Sequence, residues 1–367
     1  MRQLIRQYAT VQTVTQIGAF PLNSTIYLLI QPTGRIHLGN YLGAVRNWKD
    51  LAQESSSQDI PSNCIFGTAD LHAITVFKEP TELKKFRYET LASLLSAGLD
   101  PTKCILYHQL SVPEHSQLSW IFTCLTNIGS LNRMTQWKLK AHLNDSGSLF
   151  DEEVGKAKAG LLCYPVLQAA DVLLYKATHV PVGDDQSQHL ELTRGIATTF
   201  NHSYKTNMFP LPKTLLTPTK KILSLRNPDK KMSKSDPDQN SCIYVNEQPE
   251  AIAKKIRKAT TDSIQGGIYY DPDGRPGVSN LINIVSGITR KSIDDTVKDM
   301  EWMTNHKQLK DYVTEVIVEE LKPRRHLFDE LMTDKAYLEQ IANEGSRKAR
   351  EIATTNMDQI NKLIGFD

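Results

Sequence analysis

Short apolar runs alternate with longer stretches of helical period over the first two thirds of the chain. Ile26-Tyr-Leu-Leu-Ile30, the opening Cys64-Ile-Phe66, Lys103–Gln109, Val180–Val182 and Ile222–Ser224 read as strands. Between them, Tyr41–Trp48, Pro80–Leu99 and Pro113–Ile128 carry apolar residues at helical spacing. A further helix is expected to start at Pro165, with proline in its first turn. Strands alternating with helices predict a parallel, doubly wound sheet, that is, an α/β Rossmann-like domain. Beyond Pro237 the strand pattern stops. Glu250–Thr260, Asn280–Val285, Ser292–Trp302, Lys307–Leu321, Arg324–Thr333 and Ala336–Leu363 read as helices, with a Gly-, Asp- and Pro-rich linker over 266–277. Residues 143–158 read as an exposed loop. The expected organisation is a tail over 1–25, a Rossmann-like domain over 26–237 and an α-helical domain over 238–367, its last helix packing back on the first domain.

Composition narrows the class. The chain has 367 residues, 40% apolar and 23% charged, as in an ordinary soluble protein with room for two cores. A net charge of +2 excludes a polybasic nucleic-acid binder, so DNA is not an expected partner and any RNA contact must use local patches. Candidate patches are Lys254–Lys258, Lys322–Arg325 and Arg347–Arg350. The five cysteines lack any Cys-x-x-Cys spacing, which argues against structural zinc and a disulfide framework. No apolar run reaches the roughly 18–20 residues of a membrane span. The first acidic residue is Asp50, while Arg2, Arg6 and several hydroxyl residues precede it. Residues 1–25 therefore read as a mitochondrial transit peptide or a disordered tail, and the matrix is the expected location. Arg6-Gln-Tyr-Ala9 resembles a matrix-protease site cut after Tyr8.

Four stretches carry candidate chemistry. Gln31-Pro-Thr-Gly-Arg-Ile-His-Leu-Gly-Asn40 follows the first strand and precedes a helix. That order presents free N–H groups and the positive end of a helix dipole, where a phosphate can sit. Lys230-Lys-Met-Ser-Lys-Ser-Asp236 is a cationic loop whose two spaced amines could close on a triphosphate. Tyr164, Gln168 and Asp171 fall at i, i+4 and i+7, so three polar groups share one face of an apolar helix, and buried polar groups need partners. A bound amino acid or a structural hydrogen-bond network would supply them. Gly183-Asp-Asp-Gln186 lies at a strand-to-helix junction, and Asp70 and His72 follow a strand's C-terminal end; both places are at the ligand edge of an open sheet.

Pro32–Asn40, with His37-Leu-Gly-Asn40, resembles the first signature of class I aminoacyl-tRNA synthetases, and Lys231-Met-Ser-Lys-Ser235 matches the second letter for letter. Leu131–Lys138, Ala169–Tyr175 and the block from Gly183 to His189 are similar to the tryptophanyl branch. The resemblance runs from about Ile26 to the C-terminus. It implies ATP-dependent activation of L-tryptophan, with release of pyrophosphate, and transfer to tRNA(Trp), with Mg2+ accompanying ATP and no dedicated metal ligands. It also implies a homodimer and an anticodon-binding role for the helical domain. His37, Asn40, Lys231 and Lys234 are the implied catalytic residues. Gln31, Pro32, Thr33, Gly34, Gly39, Gly183, Asp184, Asp185, Ile222, Met232, Ser233 and Ser235 join Asn40, Lys231 and Lys234 around ATP. Asp171 is expected to accept the indole N–H, with Tyr164, Gln168 and Gln186 at the ligand's polar end. Without the indole N–H, Asp171 is expected to be left poorly paired, which penalises phenylalanine. Two departures stand out. Gln168 replaces the usual bacterial Met, a pattern shared with tyrosyl enzymes, and Leu29 occupies a place where Gly is frequent. A tyrosyl enzyme or a non-catalytic RNA-binding relative remain the alternatives.

Overall fold

The computed structural model describes residues 12–13, 23–56, 63–140, 158–182, 186–216, 221–264 and 266–366. Six parallel strands form one sheet: β1 (Gln12–Thr13), β2 (Thr25–Ile30), β3 (Asn63–Thr68), β4 (Ile105–His108), β5 (His179–Pro181) and β6 (Lys213–Leu216), in the order β1-β6-β5-β2-β3-β4. The doubly wound α/β expectation holds. The chain runs outward from β2 in both directions, through β3 on one side and β5 on the other. The crevice at the C-terminal ends of β2 and β5 is therefore the topological switch point, where ligands of such sheets bind.

Alternation along the strands separates two apolar layers. Ile26 and Phe66 face one way, where Phe66 stacks on Trp48 with ring centroids 5.4 Å apart. Tyr27, Ile65 and Tyr107 face the other, where Tyr27 stacks on Tyr175 at 5.1 Å. The long helix Lys335–Ile364 covers the edge strand β4, which would otherwise offer unpaired backbone groups to another chain. Gly345 permits that contact, because a Cβ there would stand 1.7 Å from the carbonyl oxygen of Leu106. Asn356 donates from Nδ2 to the carbonyl of Leu174 at 2.8 Å, and Arg350 pairs with Glu114 at 3.2 Å.

The helical half docks on the segment after β2. Tyr41 donates its hydroxyl to Glu320 at 2.6 Å, Arg46 donates to the carbonyl of Gly287 at 2.6 Å, and Arg290 pairs with Asp50 at 2.7 Å.

Three element expectations are corrected. The helix expected from Pro165 is Ala159–Leu174, with Pro165 inside it. A buried proline-containing turn is tolerated because Leu161, Tyr164 and Val166 around it are all buried. Lys307–Leu321 and Arg324–Thr333 are one helix, His306–Thr333, running through Pro323. Its buried positions Leu309, Val313, Ile317, Leu321, Phe328 and Leu331 keep a continuous apolar stripe across the proline. Ile222–Ser224 lies outside the main sheet and forms one arm of a hairpin, with Leu223 bridging Lys231. β1 and β6 carried no strand signal in the pattern. Residues 1–11, the loop over 143–157 and Gly183, Asp184 and Asp185 lie outside the described residues.

Candidate active site

The first signature leaves β2 as a turn and enters a helix. Gly34 sits at φ +84°, a conformation costly for any residue with a Cβ, and it is closed in by Phe86 and Glu89. Pro32 is buried beside it, and Thr33 is exposed. Gln31 accepts from the N–H of Thr33 at 2.9 Å. His37 caps the short helical turn Leu38–Asn40: its Nδ1 accepts the N–H of Asn40 at 3.2 Å. An accepting Nδ1 places the ring proton on Nε2. Burial, and then the nearby charges of Lys234 and Lys231, lower the His37 pKa to about 3, so the ring is a neutral donor at neutral pH. Tyr41–Val45 then forms a π-helical turn before the α-helix Arg46–Ser56, an irregularity frequent at functional sites.

The second signature is the far arm of the hairpin. Met232 donates its N–H to the carbonyl of Ile222 at 3.1 Å, and Ser224 donates to the carbonyl of Lys230 at 2.8 Å. Met232 is buried, and a Cβ at Gly39 would stand 3.4 Å from its Cβ and 3.1 Å from the His37 ring, so the glycine keeps this meeting point narrow. The two signatures are also joined through backbone beyond the loop: Leu38 donates to the carbonyl of Ile243 at 2.7 Å, and Val245 donates to that of Ile36 at 3.0 Å. Lys231, Ser233 and Ser235 are exposed, and Ser233 Oγ accepts the N–H of Ser235. Lys234 folds back, its Nζ donating to Thr33 Oγ1 at 3.1 Å and to the carbonyls of Thr33 at 3.3 Å and Gly34 at 3.4 Å. Burial lowers its pKa to about 8, against the raising influence of Cys242 and Glu89.

Asp171 is 2% exposed and anchors the other side. His72 Nε2 stands 2.7 Å from Oδ2, Gln109 donates to Oδ1 at 2.7 Å, and His115 Nδ1 approaches Oδ1 to 2.7 Å at an oblique angle. Burial alone would raise the Asp171 pKa; the imidazoles of His115 and His72 more than reverse this and hold it below the usual carboxylate range. A second layer supports His115: the hydroxyls of Tyr107 and Tyr175 lie 2.8 and 3.2 Å from its Nε2, and Tyr27 meets Tyr107 at 2.9 Å. Beside it runs another chain of polar groups. Tyr164 meets His189 Nε2 at 3.1 Å, His189 Nδ1 meets Gln186 Oε1 at 2.9 Å, and Gln168 donates to the same oxygen at 3.3 Å.

A cavity of about 490 Å3 joins the two regions. Gln31 and Asn40 line it from the first signature; Asp171, Tyr164, Gln168 and Gln186 line it from the helix face and the junction after β5. His37, Lys231 and Lys234 do not line it. Ile30 and Val182, at the ends of β2 and just after β5, place it at the switch point.

One sequence expectation is overturned here. Asp171 is not left poorly paired without an indole, because three side chains already surround it and a carboxylate offers only about four acceptor directions. Sequence reasoning missed His115, Gln109 and His189 as site residues. His115 is a helix-start residue and Gln109 a strand-end residue, with no local pattern to single them out. Asp70 turns away: it accepts from Thr68 at 2.8 Å, faces Arg87 at 3.4 Å and lines a separate cavity. The basic clusters are largely spoken for. Arg324 pairs with Glu320, Arg325 donates to the carbonyl of Glu247, Lys255 pairs with Glu247, and Arg347 pairs with Glu344 and Glu351.

Comparison with known proteins agrees with this geometry. The family model described as tRNA synthetases class I (W and Y) matches residues 22–322. The mitochondrial tryptophan–tRNA ligase of Saccharomyces cerevisiae is 55% identical over 94% of this chain and 91% of its own. The mitochondrial tryptophan–tRNA ligase of Schizosaccharomyces pombe is 42% identical over 92% of this chain and 94% of its own. The crystal structure of the tryptophanyl-tRNA synthetase of Campylobacter jejuni complexed with ADP and tryptophan superposes with a TM-score of 0.76, at 29% identity, covering 93% of this chain and 99% of that one.

Proposed function

The chain belongs to the class I tRNA synthetases of the W and Y group, and from that we infer that it is an aminoacyl-tRNA ligase that activates tryptophan with ATP and charges tRNA with it, in mitochondria. The observation that carries the reading is the single cavity at the switch point, which unites the first-signature residues Gln31 and Asn40 with Asp171, Tyr164, Gln168 and Gln186.

In the first step the tryptophan carboxylate attacks the α-phosphate of ATP, in line with departing pyrophosphate. In the second, a terminal ribose hydroxyl of the tRNA displaces AMP from the adenylate. A carboxylate is already nucleophilic at neutral pH, so the first step needs no general base, and the protein's contribution is positioning and charge stabilisation. We assign the neutral Nε2–H of His37, together with Asn40, Lys231 and Lys234, to the phosphates. Gln31, Pro32, Thr33, Gly34, Gly39, Ile222, Met232, Ser233 and Ser235 shape the nucleotide site, with Gly183, Asp184 and Asp185 from the junction. Asp171 is the acceptor for the indole, held as an anion in a fixed orientation, and Tyr164, Gln168 and Gln186 take the ammonium and carboxylate end. Mg2+ is proposed to accompany ATP, whose phosphates would offer the oxygen ligands this cation prefers.

The finer proposals follow the same reading. The Rossmann-like domain spans 26–237 and the helical tRNA-binding domain 238–367, within the mitochondrial matrix. A homodimer is supported by the exposed apolar residues Ile74, Val76, Phe77 and Leu110 in the segments that follow β3 and β4.

ATP–pyrophosphate exchange tests the function directly. Exchange is expected with tryptophan and not with tyrosine or without amino acid. Exchange with tyrosine alone would reassign Gln168 and Asp171 to a phenol, and no exchange by folded protein would leave only RNA binding.

A further inference from the structure

The hairpin that carries the second signature is tied to the helical half at several points, and at one of them a single side chain holds both backbone groups of one residue. In an extended strand, successive residues point their backbone groups to opposite edges. Ile222 and Ser224 spend theirs on the hairpin, the carbonyl of Ile222 accepting from Met232 and the N–H of Ser224 donating to Lys230. Leu223, between them, therefore turns its N–H and its carbonyl to the other edge, where no strand among the described residues runs alongside. Asn280 fills that place. Its Oδ1 accepts the N–H of Leu223 at 2.8 Å and its Nδ2 donates to the carbonyl of Leu223 at 3.0 Å. A carboxamide offers one acceptor and one donor side by side, the pair that a neighbouring strand residue would present. Asn280 is 2% exposed and belongs to the helix Pro276–Thr289, far along the chain from the hairpin. Two residues on, the same arm is tied again: the carbonyl of Leu225 accepts from the N–H of Thr260 at 2.7 Å and its N–H donates to the carbonyl of Ser241 at 2.9 Å.

We propose that Asn280 is a positioning residue for ATP activation, clamping Leu223 so that Lys231 and Lys234 stand at the distance from His37 that the triphosphate requires. It acts through the backbone and touches no substrate. The contact also makes the helical half a part of the phosphate site, because the helix bearing Asn280 is packed against the segment after β2 through the Gly287–Arg46 hydrogen bond. This inference rests on the assignment of Lys231 and Lys234 to ATP.

The test compares Asn280→Leu, which keeps the shape and loses both bonds, and Asn280→Ser, whose shorter hydroxyl can offer at most one, with Asn356→Leu, at another buried asparagine, which ties the last helix to Leu174. ATP–pyrophosphate exchange gives KM for ATP and for tryptophan, equilibrium dialysis gives the tryptophan Kd without ATP, and thermal unfolding gives Tm. Loss of a buried hydrogen-bonded pair corresponds to roughly a tenfold effect. The expected result is a KM for ATP raised about tenfold in Asn280→Leu and less in Asn280→Ser, with an unchanged tryptophan Kd. Asn356→Leu should lower Tm comparably while leaving KM for ATP alone. If the Asn280 variants lose Tm but keep the wild-type KM for ATP, or if both substrates weaken in parallel, the clamp is merely structural and the proposal is overturned. Absence of exchange in the wild-type protein would overturn the ATP assignment itself, and the clamp's role with it.

Discussion

Asp171 and Lys234, assigned above to the amino acid and to the phosphates, are held in different ways. Asp171 meets His72, His115 and Gln109 in the interior, and the hydroxyls of Tyr107 and Tyr175 hold His115 from behind. Lys234 sits on a hairpin and borrows its partners, one threonine hydroxyl and two carbonyls of the opposite loop. A preorganised acceptor suits a ligand group that is the same before and after reaction. A lysine resting on replaceable carbonyls suits a polyphosphate that enters, changes charge and leaves. On the proposed assignment, the amino-acid side would serve recognition and the phosphate side a transient fit.

That contrast predicts where mutations act. The largest effect belongs to Asp171→Ala, which strands two imidazoles and an amide in the interior. Removing one partner of a buried charged network costs about 3–5 kcal/mol, so thermal unfolding should move down sharply and tryptophan-dependent exchange should vanish. A variant with wild-type Tm would mean that the shell is not preorganised. Next comes Lys234→Ala. It should raise the barrier by about 2.7–4 kcal/mol, as for loss of one preorganised donor, with little change in Tm because its present partners are also within reach of water. A normal exchange rate would remove Lys234 from the mechanism.

A pH profile sharpens the comparison at intermediate size. The Lys234 pKa is lowered from 10.5 to about 8, so the free protein loses this charge as pH rises through about 8. The ratio kcat/KM for ATP should fall on that alkaline limb, since it reports the unliganded protein. Lys234→Arg, which stays charged, should flatten it. A limb unchanged in Lys234→Arg would assign it elsewhere. The smallest effect is expected for Gln168→Met. Its bond to Gln186 is long at 3.3 Å and half-buried, and a weak neutral hydrogen bond contributes at most about 1 kcal/mol. Preference for tryptophan over tyrosine, measured by exchange, should change by no more than about fivefold. A switch of amino acid would make Gln168 the specificity determinant.

Much of this was legible in the chain itself. Gln31–Asn40 could be placed at a strand-to-helix turn because Gly34 and the apolar run before it are local signals, and Tyr164, Gln168 and Asp171 could be put on one face because helical period survives even a proline inside the helix. The Pro165 and Pro323 boundaries were misread for the same reason: proline's local cost is visible in sequence, while the burial that offsets it is not. Gln186 was reachable from its junction, yet its link to Gln168 through a shared oxygen was not.

The alternation of strands β2 to β5 with helices, the two signature motifs and the polar face of the Asp171 helix were determined by the sequence alone, because periodicity, turn residues and motif spacing act over a few neighbouring residues. Only the tertiary structure decided that His115 and Gln109 complete the Asp171 shell, that Lys234 rests on Thr33 and Gly34, and that Asn280 stands in for a missing strand beside Leu223. Each of these is a single contact between distant segments, made by ordinary residue types, and its meaning comes from the backbone groups and charges that packing brings opposite it.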